Sequence, residues 1–370
     1  MKVIIFFTYG ISLNDWKSSG LLEREVKLYD YLNEKYNVNF VFITYGDKSD
    51  IDILKNDNYI KVIPIYHHFK KSKYKVIEII KSFTYSFRLS KIISMDNCIL
   101  KTNQLWGSWI PLMIKLKKGN PLIVRTGYDL LDFKREEKVP NYKIFFYKSL
   151  TKYSIKFSDK YLVTSNKDLD QIKEEFSTSD EVLQKLSNWV EFPKLENKTR
   201  FSDRIISVGR LEQQKNYQYL IKSFANSELE IDIVGQGSKK EELASLSESY
   251  NSRINFLGRL GNDELIKKLA EYKYYVSSTL YEGNPKAILE AMAAGCIVIA
   301  PNVSGVNEII ENRHSGILYN FTKDNLMLII ENLETEGFDS ISENAREYIR
   351  KNHTLEAVAA KEFAIYEELL

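Results

Sequence analysis

The sequence predicts two doubly wound α/β domains in tandem. Apolar runs of strand length alternate with helical patterns from end to end, which is the signature of parallel sheets covered by helices. A polar stretch over 188–203, holding Pro193 and lacking apolar periodicity, interrupts the alternation, which then restarts. The 370 residues suffice for about two domains with cores of ordinary size.

Taken in order, VIIFF (3–7) reads as a first strand, followed by a loop over 8–20 and a helix from Gly20 through LLEREVKLYDYL. Strands follow at 38–46 and 59–65, then one long helix over 71–93, whose apolar residues recur at mixed spacings of three and four. NCIL (97–100) is a strand, 104–118 a helix interrupted by Pro111, and PLIVRTGY (121–128) a strand entering a loop. A helix at 141–157, a strand at 160–165, a helix at 168–176 and a strand at 181–186 complete the first half. After the linker come RIISVG, a helix after Asn216, LEIDIVG, a helix at 239–249, RINFLG, a helix at 262–271 and YYVSS. Helices near 323–333 and 340–351 precede an amphipathic helix over 354–370 capped by Thr354.

Composition narrows the function. Hydrophobic content of 44% with 28% charged residues is that of a soluble globular protein. Four histidines and two cysteines, without a Cys/His cluster, argue against a zinc site. Cys98 and Cys296 lie in apolar runs and read as buried thiols of a reducing compartment. No apolar run has the length of a membrane span, and MKVIIFFTYG reads as a strand rather than a leader, so a cytoplasmic location is expected. The net charge of +2 hides an asymmetry: residues 1–195 carry a net +9 and the remainder a net −7. A basic half of this kind suits an anionic surface.

The chemistry gathers in STLYEGNPKAILEAMAAGCIVIAPN (278–302). Glu282 lies in a loop ending Gly283-Asn284-Pro285. Pro285 suits a first helical turn, Glu290 lies within the helix, and Gly295 ends it before CIVIA. Side chains tilt toward a helix N-terminus, so Glu290 leans back toward the mouth that Glu282 borders. That mouth presents unpaired N–H groups and the positive end of the dipole, a seat for phosphate. Two carboxylates beside an anion seat fit a ligand bearing both hydroxyls and phosphates, as a nucleotide-sugar does. By itself a Glu-x7-Glu spacing is also what any acidic loop before a helix supplies.

EGNPKAILEAMAAG resembles the signature of the retaining glycosyltransferases of family 4, which have the GT-B fold. The resemblance implies two Rossmann-like domains facing across a cleft. An acceptor-binding domain would span 1–190 and a nucleotide-sugar domain 191–353, with helix 354–370 packing back on the first. It assigns Glu282 to the transferred sugar and Glu290 to the ribose. Backbone groups of Gly283, Asn284, Pro285, Lys286 and Ala287 would meet the donor's phosphate or sugar. Asn284 stands where an aromatic is common, a difference that bears on specificity.

Three loops of the second half should line the same pocket. In ISVGRLEQQKN, Gly209 precedes Arg210, whose planar fork suits phosphate, and Lys215 adds a mobile point charge. Either cation alone would read as an ordinary surface residue. The order Gly-Arg-Leu-x3-Lys-Asn is similar to the family's diphosphate-binding segment. In IVGQGSKKEEL, Gly235 and Gly237 permit tight turns and Ser238 is a candidate helix cap. In NFLGRLGNDEL, Gly258-Arg259-Leu260 would contact the base by resemblance, while Asp263 and Glu264 suit a first helical turn. Glu308 in SGVNEII belongs to the next loop or to a helix start.

The first half matches the family less. Gly20 in KSSGLLEREV resembles the glycine loop that closes over the donor, or else starts a helix. NWVE (188–191) is similar to the turn before the family's linker. IVRTGYDL lacks the family's usual histidine and offers Arg125, Tyr128 and Asp129 on the acceptor side. The resemblance implies retention of configuration without a cofactor or metal, the donor being a nucleotide-sugar and most often a UDP-sugar. The acceptor would be a glycan or a polyprenyl-linked glycan of cell-surface polysaccharide synthesis, and nucleic acid is not a partner. Rivals are a nucleotide-sugar epimerase of the same fold and a non-catalytic partner subunit that binds a nucleotide-sugar or a glycan. Between His67 and Lys91 the chain carries seven Lys/Arg and one acid, Glu78, interleaved with Tyr74, Phe83, Tyr85 and Phe87. The reading is a basic amphipathic segment docking on an anionic leaflet, against an outer helix whose aromatics face the core.

Overall fold

The structure, a computed structural model, describes residues 1–127, 131, 135, 139–195, 199–336 and 339–370. It divides into two compact units, Met1–Ser187 with Ala359–Leu370, and Asn188–Val358.

In the first unit the strands are β1 (Lys2–Phe6), β2 (Asn39–Thr44), β3 (Ile60–Pro64), β4 (Cys98–Thr102), β5 (Leu122–Arg125), β6 (Lys160–Val163) and β7 (Leu183–Lys185). They pair in parallel in the order β3-β2-β1-β4-β5-β6-β7. Helices α1 (Leu13–Ser18), α2 (Leu22–Tyr36), α3 (Ser49–Ile53), α4 (Ile65–His68), α5 (Lys75–Ser82), α6 (Tyr85–Ile92), α7 (Trp109–Lys118), α8 (Asn141–Phe157) and α9 (Asn166–Phe176) cover the sheet. Strands buried on both faces read as continuous apolar runs, which is why VIIFF and FVFIT were legible.

The second unit repeats the plan. Strands β8 (Phe201–Val208), β9 (Glu230–Val234), β10 (Ile254–Gly258), β11 (Tyr272–Val276), β12 (Ile297–Pro301) and β13 (Ile317–Tyr319) form a parallel sheet in the order β10-β9-β8-β11-β12-β13. Its helices are α10 (Tyr217–Ser223), α11 (Lys240–Ser249), α12 (Asn262–Leu269), α13 (Lys286–Ala293), α14 (Leu326–Glu336) and α15 (Asp339–Asn352). A last helix, α16 (Leu355–Glu367), crosses the division between the units. Thr354 Oγ1 accepts from Ala357 N at 3.3 Å, as a cap should.

Four expectations change. The loop over 8–20 contains α1, held by a capping box: Ser12 Oγ accepts from Asp15 N, and Asp15 accepts from Ser12 N at 2.7 Å. The single helix over 71–93 is two helices, α5 and α6, broken at Phe83-Thr84. Buried Tyr85 there donates to buried Glu78, so the aromatic of the second helix turns inward. Pro111 lies in the first turn of α7, where it interrupts nothing. The linker is packed: Trp189 and Val190 are buried, and Val190 N donates to His353 O at 2.8 Å. The short strand β13 carried too few residues to be seen in the sequence.

A buried ion pair and an aromatic stack tie distant segments together. Lys101 on β4 and Glu362 on α16 form an ion pair with both side chains almost fully buried. Tyr36 and Phe363 stack with ring centroids 4.0 Å apart. Cys98 and Cys296 are buried and unpaired, and burial pushes the Cys296 thiol up to about 12.

Candidate active site

Ligands of doubly wound sheets sit outside the carboxyl ends of the strands, where the strand order reverses. In the second unit that point lies between β8 and β11. β8 delivers Gly209 and Arg210 there, and β11 delivers the loop from Ser277 to Glu282. Backbone and side-chain bonds join the two loops. Leu280 N donates to Gln214 O at 2.9 Å, Gln214 Nε2 to Tyr281 O at 2.8 Å, and Ser278 Oγ to Lys215 O at 2.8 Å. This joint holds Lys215 against Glu282, residues 67 apart in sequence. Lys215 Nζ and Thr279 Oγ1 both donate to Glu282 Oε1, the latter at 2.9 Å. The two ionic side chains are 19% and 11% exposed, shielded yet open to a ligand. Arg210 is exposed in the same loop.

Three glycine loops form the adjoining rim. Gly209 N donates to Val234 O at 2.9 Å, and Gly235 N to Gly258 O at 2.7 Å. A Cβ on Gly235 would stand 1.9 Å from Gly209 O, so only glycine lets β8 and β9 end this close together. Gly258 turns the chain with φ +75 toward Arg259, which is exposed, and Leu260, which packs on the core. Ser238 does not cap α11; its N and Oγ donate to Glu212 at 2.9 and 3.0 Å. Asp263 and Glu264 occupy the first turn of α12, as expected.

Helix α13 starts immediately after Pro285, which is its cap residue. Its helical bonding begins with Ile288 N and Leu289 N donating to Pro285 O, so the N-terminal end with Lys286 and Ala287 borders the Glu282 loop. Asn284 is buried and structural: its Oδ1 accepts from Asn188 N at 3.0 Å, and Asn188 Nδ2 donates to its backbone O at 3.1 Å. Glu290, in the second turn, is buried. Tyr275 feels the charge of both acids. Its phenol is held well above the ordinary tyrosine range first by burial, then by Tyr217, Glu282 and Glu290. Its hydroxyl donates to Val208 O at 3.4 Å, at the end of β8. The charges of Glu282 and Glu290 therefore both act on one buried phenol near the start of α13.

Residues 190–353 match the family of glycosyl transferases group 1. That match takes in most of the second unit. The chain is 27% identical over 180 residues to a Campylobacter jejuni N-acetylgalactosamine-N,N'-diacetylbacillosaminyl-diphospho-undecaprenol 4-alpha-N-acetylgalactosaminyltransferase, covering 46% of this chain and 49% of that protein. The match thus spans about half the length of that relative. An uncharacterized glycosyltransferase of Methanocaldococcus jannaschii is 24% identical over 100% of this chain and 99% of its own. Anabaena HepE in complex with UDP superposes with a TM-score of 0.75 at 14% identity, covering both chains completely. The two Rossmann-like units thus have the fold found in the GT-B glycosyltransferases.

Within the second unit the structure brings together Gly209, Lys215, Glu282, Glu290 and the start of α13. It adds residues that sequence reasoning missed. Gln214 and Thr279 fix the Lys215–Glu282 pair, and Gly305, at φ +80, lies where a Cβ would stand 2.2 Å from Glu282 O. Gly305 was visible as a glycine in the loop read for Glu308, but nothing in the sequence said which backbone it touches. In the first unit, Gly20 has φ +62 and ends α1, its N–H donating to Lys17 O at 3.1 Å. Arg125 is half-buried, and its charge acts on the buried Glu362. Tyr128 and Asp129 lie outside the described residues.

Proposed function

We propose that this protein moves a sugar from a nucleotide-sugar to a glycan or polyprenyl-linked acceptor, with retention of anomeric configuration and without a metal ion. The observation that carries the reading is the Lys215–Glu282 pair, set between the carboxyl ends of β8 and β11 and the start of α13. A departing diphosphate needs cations placed before the charge develops, and preorganised electrostatics of this kind is usually the largest catalytic term. Lys215, Arg210 and the α13 dipole supply it. Glu282 faces the transferred sugar, and Glu290 accepts from the ribose hydroxyls. The leaving phosphate takes the acceptor's proton on the same face, so configuration is kept without an enzyme nucleophile. Relatives support the substrate classes: Anabaena HepE binds UDP, and the Campylobacter jejuni relative is named for a diphospho-undecaprenol acceptor. The site of action is then the cytoplasmic face of a membrane, in cell-surface polysaccharide synthesis. No helix among the described residues is long and apolar enough to cross that membrane.

The deciding experiment incubates the full chain with a panel of sugar nucleotides, with and without a lipid-linked acceptor. Acceptor-dependent release of nucleoside diphosphate is expected, unchanged by a chelator. Conversion of the sugar without release would point to an epimerase, and binding without either reaction to a non-catalytic subunit. Loss of turnover on chelation would overturn the metal-free route.

A further inference from the structure

The first unit has one face unlike the rest of its surface. Helices α5, α6, α7 and α8 lie side by side as one layer, and their inner residues, among them Tyr85, Trp109, Ile114 and Leu150, share one buried cluster with sheet residues. Their outer side is apolar. Of nineteen large apolar side chains left exposed among the described residues, twelve fall between Tyr74 and Tyr153. Val76 and Tyr74 are each 70% exposed, Ile80 65%, Tyr142 71% and Phe145 74%. Scattered exposed apolar residues need no explanation, but a concentration on one layer marks an interaction surface.

Charge identifies the partner. The four helices carry two, two, three and four Lys/Arg respectively. Their single acid is Glu78, and it is buried, accepting from Tyr85 Oη and from Ser72 N at 2.6 Å. The four helices therefore present cations and apolar side chains and no exposed carboxylate of their own, although two of the eleven cations, Lys115 and Lys148, pair with Asp159 and Glu175 from outside them. A protein surface of ordinary composition, with both signs interspersed, is a poor match. A uniformly anionic plane with an apolar interior matches both features. Tyrosine and phenylalanine suit the boundary between headgroups and acyl chains, and lysine stems reach past it to the phosphates.

We propose that the outer face of α5, α6, α7 and α8 is a docking surface for an anionic phospholipid bilayer, into which Val76, Ile80, Tyr142 and Phe145 insert. The surface is wider than the segment 67–91 and has two components: cations select anionic headgroups, and apolar side chains hold the bound state when salt screens the charges. The proposal rests on the reading above only for its purpose, which is to bring the enzyme to a membrane-borne acceptor.

The test is sedimentation of the full chain with vesicles of phosphatidylcholine alone or with phosphatidylglycerol added. Binding to the anionic vesicles only is expected. Replacing Lys70, Lys71, Lys73 and Lys75 by Ser should weaken it by about fivefold per cation at low salt. Ile80→Ser with Phe145→Ser should leave low-salt association but abolish the fraction that survives high salt. Calorimetric binding of nucleoside diphosphate by all variants should match wild type, which separates failure of this surface from failure of the glycosyl-transfer reading. Absence of wild-type binding to anionic vesicles at low salt would overturn the proposal. So would vesicle binding left unchanged by both sets of substitutions.

Discussion

Lys215 and Glu282, 67 residues apart, meet as an ion pair at the strand-order reversal of the second unit, with Thr279 completing the grip on the same carboxylate oxygen. In the proposed reaction the pair stores a cation for the departing diphosphate and keeps the carboxylate oriented until then. Removing one well-placed donor to developing charge typically costs about 3–4 kcal/mol of transition-state stabilisation. Lys215→Ala and Arg210→Ala should therefore each lower turnover by about two to three orders of magnitude. Thermal unfolding should shift little for Arg210→Ala, whose side chain is exposed. Nucleoside diphosphate release within threefold of wild type for both variants would refute this role.

Glu282 and Glu290 differ in station, one in the loop and one buried a turn and more down α13. Glu282→Gln should lower turnover while nucleoside diphosphate still binds, since the amide keeps its size and its oxygen still accepts from Thr279. Glu290→Ala should weaken nucleotide binding itself. Isothermal calorimetry beside a turnover assay reads both effects, and the reverse order would exchange the two roles.

Gly305 tests whether the Glu282 loop must be held in place. A Cβ there would stand 2.2 Å from Glu282 O and 2.5 Å from Gly283 O, and the residue has φ +80. Both the contact and the left-handed backbone oppose a side chain. Gly305→Ala should displace the Glu282 backbone and cut turnover at least tenfold, with a stability loss of about 1–3 kcal/mol. Wild-type turnover with an unshifted unfolding midpoint would show that the loop yields without consequence.

The buried Lys101–Glu362 pair gives a prediction about stability and pH. Burial pushes the Glu362 carboxyl up, but Lys101 and Arg125 outweigh it and the net shift is down. Burial pulls the Lys101 ammonium below its ordinary value, with Glu362 opposing. A carboxyl whose folded value lies below its unfolded one stabilises the fold above the unfolded value, here 4.5. That contribution is lost as pH falls through the depressed folded value. Glu362→Ala should cost about 3–5 kcal/mol at neutral pH, because it leaves a buried ammonium unpaired. Lys101→Met with Glu362→Leu should recover most of that loss. Urea unfolding followed by circular dichroism at several pH values tests both statements. A neutral Glu362→Ala would mean that water reaches Lys101.

The sequence by itself determined the longer strands, though not β13, because parallel strands buried on both faces are apolar throughout: VIIFF, FVFIT and CIVIA need no partner to be recognised. It also determined the helix that follows Glu282, through Pro285 and the periodic run that ends at Gly295. Helix breaks were less legible, since Phe83 and Thr84 carry no local signal strong enough to stop a helical pattern. What sequence could not decide is adjacency. Lys215 finds Glu282 only because β8 and β11 are neighbours in the sheet, with β9 and β10 lying to one side. Gly305 matters only because its loop presses on Glu282 O. Lys101 is tolerated on a buried strand only because Glu362 arrives from the far end of the chain. Local pattern records which side chains avoid water, but pairing between distant polar groups depends on strand order, and that is set when the sheet is assembled.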